Sequence, residues 1–153
     1  MTTTQRAAAR PHSRTRRAML IAGYATDFGT LARGWNLILP GAFAKLIANG
    51  WQPELCLEHE GHPVGRWLRL FEDPRGLFVV GELDGSHRAQ AAMAGVESGE
   101  LPGLSLSRFI GSKARRDDGV NVCREVIHCR EISIVTKPAN PAALITEFCI
   151  GRA

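Results

Sequence analysis

The chain has 153 residues, 44% hydrophobic and 22% charged, which suits one globular domain with a buried core. No apolar run is long enough to span a bilayer, and the N-terminus lacks the apolar stretch of a secretory signal, so neither a membrane protein nor an exported one is expected. The net charge of +4 is lopsided: residues 1–17 hold five arginines and no acid, and the other 14 basic residues against 15 acidic ones leave the body at −1. No basic stripe of the kind that reads nucleic acid is therefore expected on the body, and residues 1–18 are expected to be a disordered, solvated tail.

In chain order, MLIAGYATDF (19–28) is apolar with aromatic content and predicts a first strand. NLILPGAFAKLIANG predicts a short strand, a break at Pro40-Gly41 and a helix that places Phe43, Leu46 and Ile47 on one face. Strands follow at Leu55–Leu57, Gly65–Phe71 and LFVVGEL, the last two joined by an Asp73-Pro74-Arg75-Gly76 turn. Ser86 is placed to cap a helix whose Ala89, Ala92, Met93 and Val96 recur at helical spacing, with Gly99 as its stop. GLSLSRFI (103–110) alternates as one strand, with Ser105, Ser107 and Phe109 on one face and Leu104 and Leu106 on the other. Val120–His128 and Glu131–Thr136 complete the set. About seven strands and two helices with short links predict an α+β fold, mainly an antiparallel β-barrel flanked by helices.

The densest chemistry lies in LEHEGHPVGRW (57–67). His59 and His62 are three apart, with Gly61 between them and Pro63 after, so they do not match the His-Glu-x-x-His zinc helix. The four cysteines, Cys56, Cys123, Cys129 and Cys149, form no Cys-x-x-Cys pair and read as free residues of the core or near-surface in a reducing compartment. No metal and no cofactor is expected. Ser105 lies among apolar neighbours, and Glu131 leads the apolar strand EISIV, sharing a face with Ser133 and Val135. With His59 these supply a nucleophile, a base and an acid to orient the base. Three residues scattered over 72 positions carry little weight by themselves.

The order of GYATDF, ILPGAF, LEHEGHPVGRW, DPRGLFVVGEL, GELPGLSLS and EISIVTKPANPAA gives them more. Over residues 19–147 the chain resembles the prohead proteases of tailed bacteriophages, capsid-maturation serine proteases with an assemblin-like fold. The resemblance implies His59 as general base, Ser105 as nucleophile and Glu131 as third member. It also implies a protease domain at 19–147 with residues 148–153 as a C-terminal tail. The implied substrate is the scaffolding region of the major capsid protein, together with the protease itself. The setting would be the immature head in the bacterial cytoplasm, with a dimer as the expected assembly and the portal as a further candidate partner. The sequence departs from the pattern at Glu60 (usually aspartate), at Asn36 (usually acidic), at Ser107 (usually glycine) and in a His59–Gly65 loop one residue short. A serine at 107 leaves two alternatives beside the Ser105 reading, a narrowed oxyanion site or Ser107 as the nucleophile; with Ser105 as nucleophile, Ser107→Ala is expected to cleave, and faster than wild type if Ser107 crowds the site. Two competing readings are a structural capsid-assembly factor with a degenerate site, and a nucleic-acid-associated module using the arginine tail.

Overall fold

The computed structural model describes residues 17–34 and 36–151. The tail expected at 1–18 therefore lies outside the described residues except for Arg17 and Ala18. Ten strands and two helices follow in order: β1 (Met19–Asp27), β2 (Asn36–Ile38), α1 (Ala44–Ala48), β3 (Glu54–Leu57), β4 (Pro63–Glu72), β5 (Gly76–Leu83), α2 (His87–Ser98), β6 (Gly103–Leu106), β7 (Phe109–Arg115), β8 (Asn121–Cys129), β9 (Glu131–Val135) and β10 (Ile145–Ile150).

Seven strands form one sheet in the order β10-β1-β5-β4-β3-β9-β6. Every pairing in it is antiparallel except β3 with β9. Register shifts in β1 between Tyr24 and Thr26 and in β4 between Trp67 and Arg69 increase the twist and let the sheet curl. Its ends then meet. Gly103 bridges Leu144, Leu104 N–H donates to Ala143 O at 2.9 Å, and Ile145 N–H donates to Pro102 O at 2.9 Å. The barrel is nearly closed, as the alternating apolar pattern predicted. A second sheet, β2-β8-β7, packs beside it. The Trp51 indole N–H holds the end of β8 through Cys129 O at 2.9 Å.

The core is built from alternate strand positions: Ile21, Leu55, Val64, Leu77, Val79, Leu104, Ile132 and Ile134 are all essentially buried. α2 covers part of it with Ala89, Ala92, Met93 and Val96, as the helical spacing predicted. Ser86 Oγ accepts the Ala89 N–H at 3.2 Å, and Gly99 ends the helix at φ 81°. Among the described residues no helix is long and apolar enough to cross a membrane.

Three expectations change. The predicted strand 103–110 is two strands in different sheets, broken after Leu106, so Phe109 does not continue the face of Ser105. β7 was not expected because FIGSKAR is largely exposed and lacks an apolar face. β10 was not expected either. As an edge strand it exposes most of its residues, including Phe148, and carries no alternating burial signal, yet it pairs with β1 from Ile145 to Ile150. β10 thus runs as far as Ile150, into the residues expected as a C-terminal tail.

Candidate active site

His59 stands at the end of β3, where the backbone does something costly. Glu58 and His59 both adopt left-handed φ, 51° and 58°, although neither is glycine. Each such residue costs on the order of 1–2 kcal/mol and is held only where the surroundings enforce it. Here they do. Glu58 N–H donates to Ile134 O at 2.9 Å, the Glu58 carboxylate accepts the Thr136 N–H, and Glu60 N–H closes the turn on Leu57 O at 3.0 Å. Glu60, the residue that departs from the expected aspartate, reaches Arg88 on α2 and ties the loop to that helix. The outcome is a reversal that sends the His59 ring back along the strand it has just left.

The ring meets Glu131. His59 Nδ1 lies 2.8 Å from Glu131 Oε1, with the histidine side chain 38% exposed and the glutamate 6%. In the parallel β3–β9 register Glu54 lies opposite Glu131 and Leu57 opposite Ile134, so the chain leaves β3 at the far end of β9 and the His59 ring reaches back to meet Glu131. A carboxylate on Nδ1 holds the neutral ring with its proton on that nitrogen and leaves Nε2 as the free base. Glu131 is not the exposed strand end that a glutamate leading an apolar run usually marks. Its backbone is fixed as well: Glu131 N–H donates to Ser107 Oγ at 3.1 Å, and Ser107 N–H donates to Glu131 O at 3.0 Å.

Ser107 therefore has a structural task that the motif comparison missed. It stands one residue past β6, and its hydroxyl receives the N–H of Glu131, with Cys129 Sγ 3.5 Å from the same oxygen. Its hydroxyl is engaged with the Glu131 backbone.

Ser105 lies on β6, one strand from Glu131 on β9 and two strands from β3, whose end carries His59. In the β6–β9 register it lies opposite Ser133, two residues along the same face from Glu131, and is 4% exposed. Its Oγ makes a long contact of 3.5 Å to Leu106 O, and no hydrogen bond joins it to His59. The structure thus brings His59 and Glu131 together and sets Ser105 on the neighbouring strand. Hydrogen bonds between a nucleophile and its base are commonly loose before substrate binds.

Ser105 also lines a cavity of about 240 Å³ to which four motif segments contribute, together with Arg33 and with Phe109 and Lys113 of β7. Ala25 and Thr26 belong to GYATDF, Ile38 to ILPGAF with Asn36 just before it, Ser105 and Ser107 to GELPGLSLS, and Ala139 and Asn140 to EISIVTKPANPAA. Buried Asn140 stitches two of these: its Nδ2 donates to Thr26 Oγ1 and Asp27 O, both at 3.2 Å, and its Oδ1 accepts the Ala142 N–H at 3.0 Å. Arg33 N–H donates to Ala139 O at 2.7 Å, joining the β1–β2 loop to the same wall. Motifs far apart in the chain therefore share one concavity at the candidate nucleophile.

Neither His59 nor His62 falls in a metal-spaced cluster among the described residues. Glu54, Cys56 and Glu131 do, with ligand atoms within 4.8 Å of one another. Burial first, then the negative charge of Glu131 and Glu54, pushes the Cys56 thiol up to about 12. All four cysteines are free, with Cys149 alone exposed.

The family model described as caudovirus prohead serine protease matches residues 6–150. The prohead protease of Enterobacteria phage HK97 is 33% identical over 130 residues, which are 79% of this chain and 56% of that protein, so the chain spans little more than half of that relative's length. The bacteriophage T4 capsid assembly protease superposes with a TM-score of 0.59 at 14% identity, covering 76% of this chain and 80% of its own. The Kaposi's sarcoma-associated herpesvirus protease, solved with a hexapeptide phosphonate inhibitor, superposes with a TM-score of 0.56 at 15% identity, covering 89% and 66%. At these identities the two structures bear on the fold, which is assemblin-like.

Proposed function

The chain belongs to the caudovirus prohead serine protease family, and on that premise we propose that it is a serine endopeptidase of capsid maturation using Ser105, His59 and Glu131. Its substrate in this reading is the scaffolding region of the major capsid protein, met inside the immature head, together with its own chain. The observation that carries the reading is the His59–Glu131 contact at 2.8 Å, made by a buried glutamate and a histidine held in a strained turn. Ser105, on the next strand and at the wall of the shared cavity, supports it.

The chemistry follows from the arrangement. Ser105 Oγ attacks the scissile carbonyl carbon as its proton passes to His59 Nε2. Glu131 holds Nδ1–H and stabilises the imidazolium. The tetrahedral intermediate collapses, the C–N bond breaks, and the departing amine takes the proton from Nε2. Water, deprotonated by the same nitrogen, then hydrolyses the acyl-Ser105 ester and returns the serine. The cavity beside Ser105 holds a substrate side chain next to the scissile bond.

The test is co-expression with the capsid protein encoded in the same gene cluster, followed by mass spectrometry of the products. The wild type shortens the capsid protein at a defined site. Ser105→Ala and His59→Ala lose on the order of a thousandfold or more in rate, since triad members act as a unit. Glu131→Gln loses less, because nucleophile and base remain. A Ser105→Ala variant that cuts like the wild type removes Ser105 from the mechanism. A wild type that never cuts its own capsid protein leaves the chain as a structural assembly factor.

A further inference from the structure

Ser133 is a buried polar group that the triad does not use. It sits mid-strand in EISIV, is wholly buried, and shares a face with Glu131. Its Cα lies opposite Ser105 on β6 and opposite Cys56 on β3, so it occupies the strand between the candidate nucleophile and the strand that delivers the base. A hydroxyl in such a place needs a partner. Ser133 Oγ donates to Glu131 Oε1 at 3.3 Å, the same oxygen that takes His59 Nδ1 at 2.8 Å.

We propose that Ser133 is a positioning residue of the protease, its hydroxyl clamping the Glu131 carboxylate so that Oε1 faces His59. The inference rests on the Ser105–His59–Glu131 reading above. A glutamate has one more rotatable bond than an aspartate, so a glutamate orienting a histidine needs an anchor beyond its backbone. Ser107 fixes the Glu131 backbone and Ser133 fixes its carboxylate. The Cys56 thiol, next to the same carboxylate, stays protonated and adds no charge against it. Strand alternation supports the assignment, because the second residue after Glu131 lies on the same face of β9.

Five proteins test this: wild type, Ser133→Ala, Ser133→Thr, Glu131→Gln and Ser133→Ala combined with Glu131→Gln. With a peptide spanning the mapped capsid cleavage site, Ser133→Ala is expected to lower kcat about tenfold to a hundredfold with KM unchanged, in line with loss of a hydrogen bond to a charged group. Ser133→Thr restores most of the rate, because the hydroxyl returns. The double variant is no slower than Glu131→Gln alone, since Ser133 acts only through that carboxylate. The proton on His59 Nδ1 gives a far-downfield NMR signal, expected to weaken or shift in Ser133→Ala and to be retained in Ser133→Thr. That measurement needs no turnover, so it separates failure of this inference from failure of the triad. Thermal unfolding confirms that each variant is folded, and if Ser133→Thr overpacks its buried site, Ser133→Cys replaces it as the donor-retaining variant. An unchanged Nδ1 signal in folded Ser133→Ala overturns the proposal, as does a double variant whose losses simply multiply. Full activity of Glu131→Gln overturns the triad reading instead.

Discussion

Gly103→Ala probes the junction between the nucleophile strand and the KPANP loop. A Cβ at Gly103 would lie 2.7 Å from Pro138 Cγ, 2.8 Å from Cδ and 3.0 Å from Cβ. Carbon atoms pack at about 3.5–4.0 Å, so the added methyl is too close by about 0.8 Å or more. The proline ring cannot swing aside like a flexible side chain, because its torsions are locked. β6 cannot retreat either, being held to β9 from Gly103 to Leu106. The loop of residues 137–140 must give, and it carries Asn140 and the cavity wall. Overpacking of this kind costs about 1–3 kcal/mol, which for a chain of this size lowers Tm by roughly 2–12 °C. Activity should suffer more, since a displacement near 1 Å at a catalytic site costs about a hundredfold. The assay pairs thermal unfolding with kcat/KM on a peptide carrying the capsid cleavage site, and uses Gly99→Ala as control. Gly99 has φ 81° and open space around it, so alanine there strains the backbone at the end of α2, away from the site. Gly99→Ala should lose stability and keep its activity. If Gly103→Ala cleaves like Gly99→Ala at similar stability, the KPANP loop does not shape the site and the cavity argument fails.

Ser107→Ala removes the acceptor for the buried Glu131 N–H, and should lower stability by about 1–3 kcal/mol in chemical denaturation and slow cleavage. Cleavage at or above the wild-type rate would restore the crowding expectation drawn from the motif. Thiol titration of the native protein at mildly alkaline pH should find one fast-reacting cysteine, Cys149, and four after denaturation. A Cys56 that reacts at a comparable rate in the folded protein would contradict its burial and the push of its thiol to about 12.

The barrel and the α2 stripe were legible because their signals are local: apolar alternation in strands buried on one face, and helical spacing between Ser86 and Gly99. β7 and β10 were not legible, because an edge or exposed strand is specified by the partner it pairs with rather than by its own pattern. The break after Leu106 shows the limit most clearly. In GLSLSRFI the alternation runs unbroken, and nothing local says that the chain leaves the barrel at Ser107. What ends the strand is remote, the Glu131 backbone closing on Ser107 through two hydrogen bonds.

The site divides in the same way. The identities His59, Ser105 and Glu131 came from motif order, and the shared face of Glu131 and Ser133 from alternation. The reach of His59 to Glu131 depends on two left-handed residues that no propensity would assign to Glu58 and His59. That turn is paid for by contacts from β9, the strand that also carries Glu131 and Ser133. In the proposed mechanism one strand therefore supplies the acid, the hydroxyl that clamps it and the carbonyl that anchors the histidine turn through Ile134. In the proposed triad, base and acid thus both depend on β9. A change that shifts β9 should consequently damage the His59–Glu131 contact before it unfolds the barrel.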